Sequence, residues 1–358
     1  MKYRKNVSGT IFFLFLLAIS TIFCQKKAPT ENFIFKTEVH IDLLFHILAH
    51  MDTGNDAANL YSEDYVKKIL DEKQKLRIDA DLTNKLDSIK DIFIPDNGLR
   101  MIDFFPFGFS DYEEFLKGLN WLSTDSNEKN QNDTLNLYRT RFITTQEQRD
   151  FIGKFSGILD HEYRTFYRDY WKREQGRLAV IKGQFEEFVK TNGEKLLSAA
   201  MKKEKKKTEF YSCLSMTRYG RGFRSRYGFG AAVKFPENKE EFLPSFITAA
   251  REITLQFSNP IIIKSENFDY SQSSTMEGSE GFKIHAAVEC GAIYLDYLLF
   301  QKFLPEYLKN FLLFYSEAPE KEVKDKAIEE LENVFKTMVK PYLSEKSIEY
   351  LTDYVNKL

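Results

Sequence analysis

Residues 250–260 read AREITLQFSNP and carry one carboxylate, Glu252, on a stretch with the spacing of a helix. Positions 251 and 255 lie one turn apart and share a face of that helix. They are occupied by Arg251 and Leu255. A glutamate in such a place can act as a general base on a nucleophile beside it. This segment is therefore our first candidate for catalytic chemistry.

A second candidate is the helix predicted near residues 283–303. His285, Glu289 and Asp296 fall on one polar stripe of that helix. The opposite stripe, which we expect to face the core, consists of Ile284, Val288, Gly291, Leu295 and Leu298. Together with Glu252, the polar stripe offers carboxylate and imidazole groups for acid–base chemistry. The alternative interpretation is an ordinary amphipathic helix.

Two further histidine patterns contain parts of metal sites. His46 and His50 are one helical turn apart, a spacing that suits zinc, but no glutamate follows His46. Residues 161–165 read HEYRT, which begins like the zinc motif H-E-x-x-H and lacks its second histidine. We interpret the first pattern as core or surface histidines and the second as a chance match.

The segment 250–260 resembles the active helix of a family of secreted bacterial zinc peptidases of the gluzincin type, which reads approximately H-E-F-x-H-x-F-x-N-P. Four positions match that pattern, namely Glu252, Phe257, Asn259 and Pro260. Arg251 and Leu255 replace its two histidines. In that family the active helix follows a pair of strands and precedes a second helix, and the predicted elements of this chain have a similar order.

This resemblance implies a zincin-like fold without a catalytic metal ion. In the family, both histidines hold Zn²⁺ and the glutamate acts as general base on metal-bound water. Arginine cannot ligate zinc and its guanidinium repels cations, and leucine has no donor atom. Glu252 is then a vestigial general base, and we expect neither zinc nor another cofactor. His285 or Glu289 would take the place of the family's acidic third ligand, and Asn259 would lie at the cleft.

Hydrophobic spacing predicts a predominantly α-helical α+β fold with helices through most of residues 38–201. Residues 209–216 and 229–235 read as strands on either side of an Arg- and Gly-rich loop. This pattern predicts a hairpin or a small antiparallel sheet. A helix that starts near Pro244 should stop at Pro260, because proline and the residue before it disfavour helix.

The chain is expected to fold as one metallopeptidase-like domain over residues 38–358. Its helical part would span residues 38–207. The strand pair and the active-helix-like part would span residues 208–358, and the helical C-terminus begins near residue 321. Residues 25–37 are interpreted as a polar tether between this domain and the N-terminus.

Residues 1–24 have the layout of a signal peptide, with a basic start and an apolar run from Ile11 to Cys24. The run is too short to span a membrane as a helix. Cys24 directly follows it and precedes a lysine-rich stretch, as in bacterial lipoprotein precursors, although Phe23 stands where a small residue is expected. We favour an exported protein lipidated on Cys24 and held on the membrane. Cleavage near Ala18 and secretion are the alternative.

The net charge of −2 gives no overall attraction to nucleic acid, and none is expected as a partner. A basic run at residues 202–207 and arginines interleaved with aromatics at residues 218–227 are interpreted as a solvated helix end and a hairpin tip. Anionic lipid, polysaccharide or an acidic protein surface are the alternative partners for them. Cys213 and Cys290 either pair or are small buried residues.

Three functions follow from these patterns. The first is an exported envelope protein whose metallopeptidase-like site binds a peptide or protein partner without cutting it. The second is an active hydrolase with a rearranged centre made from Glu252, His285, Glu289 and Asp296. The third is a plain interaction module of the cell envelope, in which case the resemblance is accidental. If the first is correct, Glu252 must line an open cleft that faces the helix of residues 283–303. A Glu252 that points into bulk solvent or lies remote from that helix would rule out the resemblance.

Overall fold

The computed structural model describes nine stretches of the chain, namely residues 33–51, 61–78, 81–125, 129–204, 206–217, 219–224, 228–266, 279–316 and 326–358. The predicted signal peptide, Cys24 and the first part of the predicted tether lie outside these residues. Phe33–Lys36, which the sequence assigned to the tether, instead form the first strand, β1. None of the helices in the described stretches has the length and apolar character needed to cross a bilayer.

The first half of the chain is helical, as predicted. Its helices are α1 (Val39–Met51), α2 (Glu63–Leu76), α3 (Leu82–Phe93), α4 (Tyr112–Ser123), α5 (Asp133–Arg141), α6 (Gln146–Glu162), α7 (Arg168–Arg177) and α8 (Ala179–Glu204). A π-helical turn, Tyr163–Tyr167, joins α6 to α7. Capping residues define where several of these helices begin. At the start of α6, Thr145 and Gln148 form a reciprocal capping box that satisfies two backbone N–H groups.

Three more strands follow, β2 (Lys207–Cys213), β3 (Arg221–Arg224) and β4 (Gly228–Lys234). The last helices are α9 (Phe242–Glu266), α10 (Ser279–Phe303), α11 (Leu308–Tyr315), α12 (Ile328–Val339) and α13 (Glu345–Asn356). The predominantly helical α+β class predicted from the sequence is confirmed. Within the described residues, the predicted C-terminal helices are α12 and α13.

The four strands form one mixed sheet in the order β1-β2-β4-β3. The two strands predicted from the sequence, β2 and β4, lie side by side but run parallel, with Phe210 opposite Ala231. The antiparallel partner of β4 is β3, which the sequence analysis placed in a loop. The predicted pairing was therefore wrong, because β4 inserts between β2 and β3 rather than folding back on β2.

The sheet is covered on both faces, and this explains the nearly continuous apolar character of β2 and β4. Successive residues of a strand point to opposite faces. Phe210 and Ala231 accordingly pack with α8 to α13 in one apolar cluster. Tyr211 and Ala232 pack with α1 to α7 in the other cluster. The sheet therefore lies between two helical layers.

Helix α9 continues through Pro260 to Glu266, so the predicted stop at Pro260 was wrong. Proline has no N–H, which leaves the carbonyl of Gln256, four residues earlier, without its helical donor. Arg224 of β3 replaces that donor. Its Nη2 donates to the Gln256 carbonyl at 3.1 Å, and its Nε donates to Gln256 Oε1 at 3.2 Å. A tertiary contact thus makes the proline compatible with the helix.

We expect Arg224→Met to lower the free energy of unfolding by about 1–3 kcal/mol, because the Gln256 carbonyl would be left buried without a donor. In a Pro260→Ala background, the backbone N–H at position 260 can bond that carbonyl. The loss caused by Arg224→Met should therefore be smaller there. Urea unfolding of the four chains of this cycle measures both effects. Equal losses in the two backgrounds would contradict the explanation.

Candidate functional site

Glu252 lies on the face of α9 that packs over the edge strand β3, and only 6% of the residue is exposed. Its Oε2 accepts a hydrogen bond from the backbone N–H of Gly222 at 2.8 Å. Its Oε1 accepts a hydrogen bond from the guanidinium of Arg251, its neighbour in sequence. Both carboxylate oxygens therefore have partners, one from the sheet and one from the helix itself.

The glycines of β3 and of the residues before it allow α9 to come this close. A Cβ atom at Gly222 would lie 2.7 Å from the carbonyl oxygen of Glu252. A Cβ atom at Gly220 would lie 2.9 Å from Thr248 Cγ2 and 3.0 Å from Glu252 Cγ. The sequence analysis missed these two glycines as site residues. The two glycines around the start of β3 were the available signal, since a glycine in a strand often marks close approach of another element.

Arg251 connects α9 to α10. Its Nη1 lies 3.6 Å from Oε2 of Glu289, while its other terminal nitrogen binds Glu252. Burial opposes the charge of this guanidinium, but the two carboxylates outweigh it and raise the pKa of Arg251 above its usual value. The guanidinium thus lies between the two glutamates as a permanent internal cation. Glu252 is linked to α10 through this ion pair, but it is buried against β3 rather than lining an open cleft.

Asp296 lies next to this ion pair and is fully buried. Within the described stretches, neither of its oxygens makes a hydrogen bond of normal geometry. Burial therefore raises the pKa of Asp296 well above its ordinary value, while the nearby hydroxyl of Thr254 and the charge of Arg251 act in the opposite direction. The predicted polar stripe was wrong at this position, because Asp296 points into the protein with the apolar residues Val288 and Leu295.

A tyrosine from α11 completes the cluster and was not identified from the sequence. The hydroxyl of Tyr315 is buried and has no hydrogen-bond partner among the described residues. Burial raises the pKa of Tyr315, and the charges of Arg251, Asp296, Glu289 and Glu252 all act on its hydroxyl. Nothing in the sequence near Tyr315 signals this position, since α11 reaches the site only through tertiary packing.

The remaining predicted site residues are less central. Leu255 is buried in the apolar cluster that includes α9 and α10. Asn259, one turn further along α9, is also buried, and its Oδ1 has no hydrogen-bond partner in the part of the chain that the structure describes. His285 lies one turn before Glu289 on α10 and is half-buried. The structure therefore brings Arg251, Glu252 and Glu289 into direct contact.

The donor set of this cluster does not suit a metal ion. Each glutamate already contacts the guanidinium of Arg251, whose positive charge would repel a divalent cation. Leu255 offers no ligand atom one turn further along the helix. Across the described stretches, no three or more His, Cys, Asp or Glu side chains are grouped so that they could hold a metal ion.

His46 belongs to a second polar cluster, in the core of the first helical layer. Its Nε2 donates to Glu162 at 3.1 Å, and its Nδ1 accepts from the hydroxyl of Tyr65 at 2.9 Å. Lys73, which is 1% exposed, donates to the other oxygen of Glu162 at 2.7 Å. Burial would raise the pKa of Glu162, but His46 and Lys73 together lower it to about 2.

These contacts settle the two histidine patterns. His50 is buried beside His46, and burial lowers its pKa to about 2, so it is an uncharged core histidine. Glu162 of the HEYRT segment points to His46 and Lys73, whereas the Thr165 hydroxyl only caps the carbonyl of His161. The carboxylate that approaches His46 is held by an ammonium group rather than left available to a metal ion.

The interleaved arginines and aromatics are mostly structural. Arg221 pairs with Asp103 at 2.8 Å, Arg224 binds α9, and Phe223 is 1% exposed and stacks on Phe107. Residues 218 and 225–227 of this pattern lie outside the described stretches. Cys213 and Cys290 are both free thiols, so the predicted alternative of a disulfide between them was wrong.

We expect Asp296→Asn to change how stability depends on pH. The pKa of Asp296 is raised by folding, so the folded chain keeps a proton that the unfolded chain releases above about pH 4. The contribution of this carboxyl to stability therefore falls as the pH rises. Relative to Asp296→Asn, the natural chain should lose stability between roughly pH 4 and pH 7. Urea unfolding of both chains at about pH 4 and about pH 7 measures this change. The same difference in stability between the two chains at both pH values would contradict the prediction.

Comparison of the chain with protein-family models, with curated proteins and with solved structures gives no match.

Proposed function

We propose that this chain is an exported envelope protein that binds a peptide or protein partner through a metallopeptidase-like site in which an arginine stands in for the metal ion. One observation carries the proposal, namely that the Arg251 guanidinium lies between Glu252 and Glu289. In the zinc peptidases that the sequence resembles, the corresponding carboxylates act on a metal-bound water and on the metal. Here Glu252 and Glu289, which shares candidacy for the third-ligand place with His285, flank a fixed positive charge.

The internal cation removes the chemistry of a zinc peptidase but keeps the shape of its centre. A guanidinium holds the two carboxylates apart and neutralises them in part, as a metal ion would. It has no open coordination position and cannot lower the pKa of a water molecule as zinc does. The side chains of Arg251 and Glu289 are 18% and 25% exposed, so a ligand would reach the cluster through these two residues. Binding without hydrolysis fits this arrangement.

The test of this proposal is to restore the histidines. We expect the natural chain, purified without an affinity metal, to contain no stoichiometric zinc by elemental analysis. The chain with both Arg251→His and Leu255→His should bind one zinc, because histidines one turn apart and Glu289 then form a three-ligand site. Adding Glu289→Gln to that pair should weaken zinc binding, and Leu255→His alone is the matched control. Stoichiometric zinc in the natural chain that Glu252→Gln or Glu289→Gln removes would overturn the proposal.

The raised pKa of Asp296 beside Glu252 favours one second function, acid–base hydrolysis without a metal ion. Such a pair would combine a protonated acid with an ionised base. Asp296 is fully buried, however, so a substrate would have to open the cluster to reach it. We expect no chelator-resistant peptide cleavage above that of the Glu252→Gln chain. Cleavage that disappears in Glu252→Gln would favour this second function instead.

We further propose that the chain is anchored to a membrane through a lipid on Cys24. The support is the sequence alone, namely a basic start, an apolar run and a cysteine directly before a polar stretch. We expect Cys24→Ala to move the protein from the membrane fraction to the soluble fraction after cell lysis. Mass spectrometry of the natural chain should show the lipid on Cys24. A natural chain that fractionates like Cys24→Ala would contradict the anchor.

A further inference from the structure

Asp42 of α1 joins three elements of the fold through one buried carboxyl group, which is 1% exposed. Its Oδ1 accepts a hydrogen bond from the backbone N–H of Leu214, directly after β2, at 2.8 Å. Its Oδ2 accepts a hydrogen bond from the indole Nε1 of Trp171 in α7 at 3.1 Å. The carboxyl therefore ties the central helix of the first layer both to the sheet and to α7.

The negative charge of Asp42 lacks a cationic partner, since no ion pair to it occurs within the described stretches. The titratable groups that face it from other elements are Tyr65 of α2, Tyr167 of the π-helical turn, Tyr170 of α7 and Cys213 of β2. Burial raises the pKa of each of them, so all four are uncharged near neutral pH.

On its own helix, the nearest titratable side chain is that of His46, one turn later. Its ring is already occupied by Tyr65 and Glu162, and Lys73 is paired with the same Glu162. An ionised Asp42 is therefore stabilised only by the N–H groups of Leu214 and Trp171 and by the nearby hydroxyl of Tyr167. Burial outweighs them and raises the pKa of Asp42 to about 7. Both protonation states are thus accessible in a neutral medium.

We propose that Asp42 is a proton-sensitive link between α1 and α7. On taking up a proton, the carboxyl becomes a donor through one oxygen and remains an acceptor through the other. The second oxygen keeps the N–H of Leu214, while the new O–H turns to the hydroxyl of Tyr167 and releases the indole of Trp171. Tyr167 suits this role because its buried hydroxyl already acts on the Asp42 carboxyl, without a hydrogen bond of normal geometry, and needs only to change from donor to acceptor.

Trp171 reports directly on this exchange, and the chain has only two tryptophans. We would record the fluorescence of the full-length chain carrying Trp121→Phe between roughly pH 5.5 and 8.5, a window that brackets the pKa of Asp42. The expected result is a single transition centred near pH 7 that is absent when Asp42→Asn is added. The chain with Trp171→Phe, which retains Trp121, is the matched control and should show no such transition.

A flat titration, or one that persists unchanged with Asp42→Asn, would overturn the proposal. If the Asp42→Asn chain does not fold, a measurement on the natural chain still tests the proposal. With ¹⁵N-labelled tryptophan, the indole N–H resonance of Trp171 should move across the same pH range as its hydrogen bond to Asp42 is lost. A resonance that stays constant through this range would show that the link does not open.

Discussion

The close approach of α9 to the edge strand β3 is the contact on which the candidate site depends. It requires glycine at positions 220 and 222, because a side chain at either one would collide with the helix. Once the two elements are in contact, Gly222 can donate to Glu252, and Arg224 can supply the hydrogen bond that Pro260 removes. Arg251 then has a fixed direction from α9 towards α10. The two glycines therefore determine the positions of the charged side chains of Glu252, Arg224 and Arg251.

The charges of the site are partly neutralised within it. Arg251 is flanked by two carboxylates from two helices, while the neighbouring carboxyl of Asp296 avoids ionisation because its surroundings are dry. A buried cation with paired carboxylates costs less than any of these charges would alone. The same principle governs the first helical layer, where Glu162 is shared by His46 and Lys73. In both layers, one charged group is held between two partners.

The sequence predicted the parts of this structure that depend on local pattern. Helical spacing located α9 and α10, and the family resemblance grouped Glu252 with His285 or Glu289. The sequence-based prediction failed where contacts between residues distant in the chain determine the structure. The stop at Pro260 was a sound local expectation, but Arg224 lies in another element. Tyr315 could not be found because only packing brings α11 to Arg251. The parallel pairing of β2 and β4 was also hidden, since alternation along a strand does not reveal its direction.

The position of β1 has a consequence for how the chain reaches its folded state. Phe33 pairs with Thr208, so the outer strand of the sheet can form only after most of the first helical layer has been made. Contacts between residues so far apart in sequence slow folding, because a long loop must close before they form. The helices of the first layer can assemble earlier from neighbouring segments. We therefore expect the N-terminal strand to remain without its partner during synthesis, and its docking to be a late step of folding.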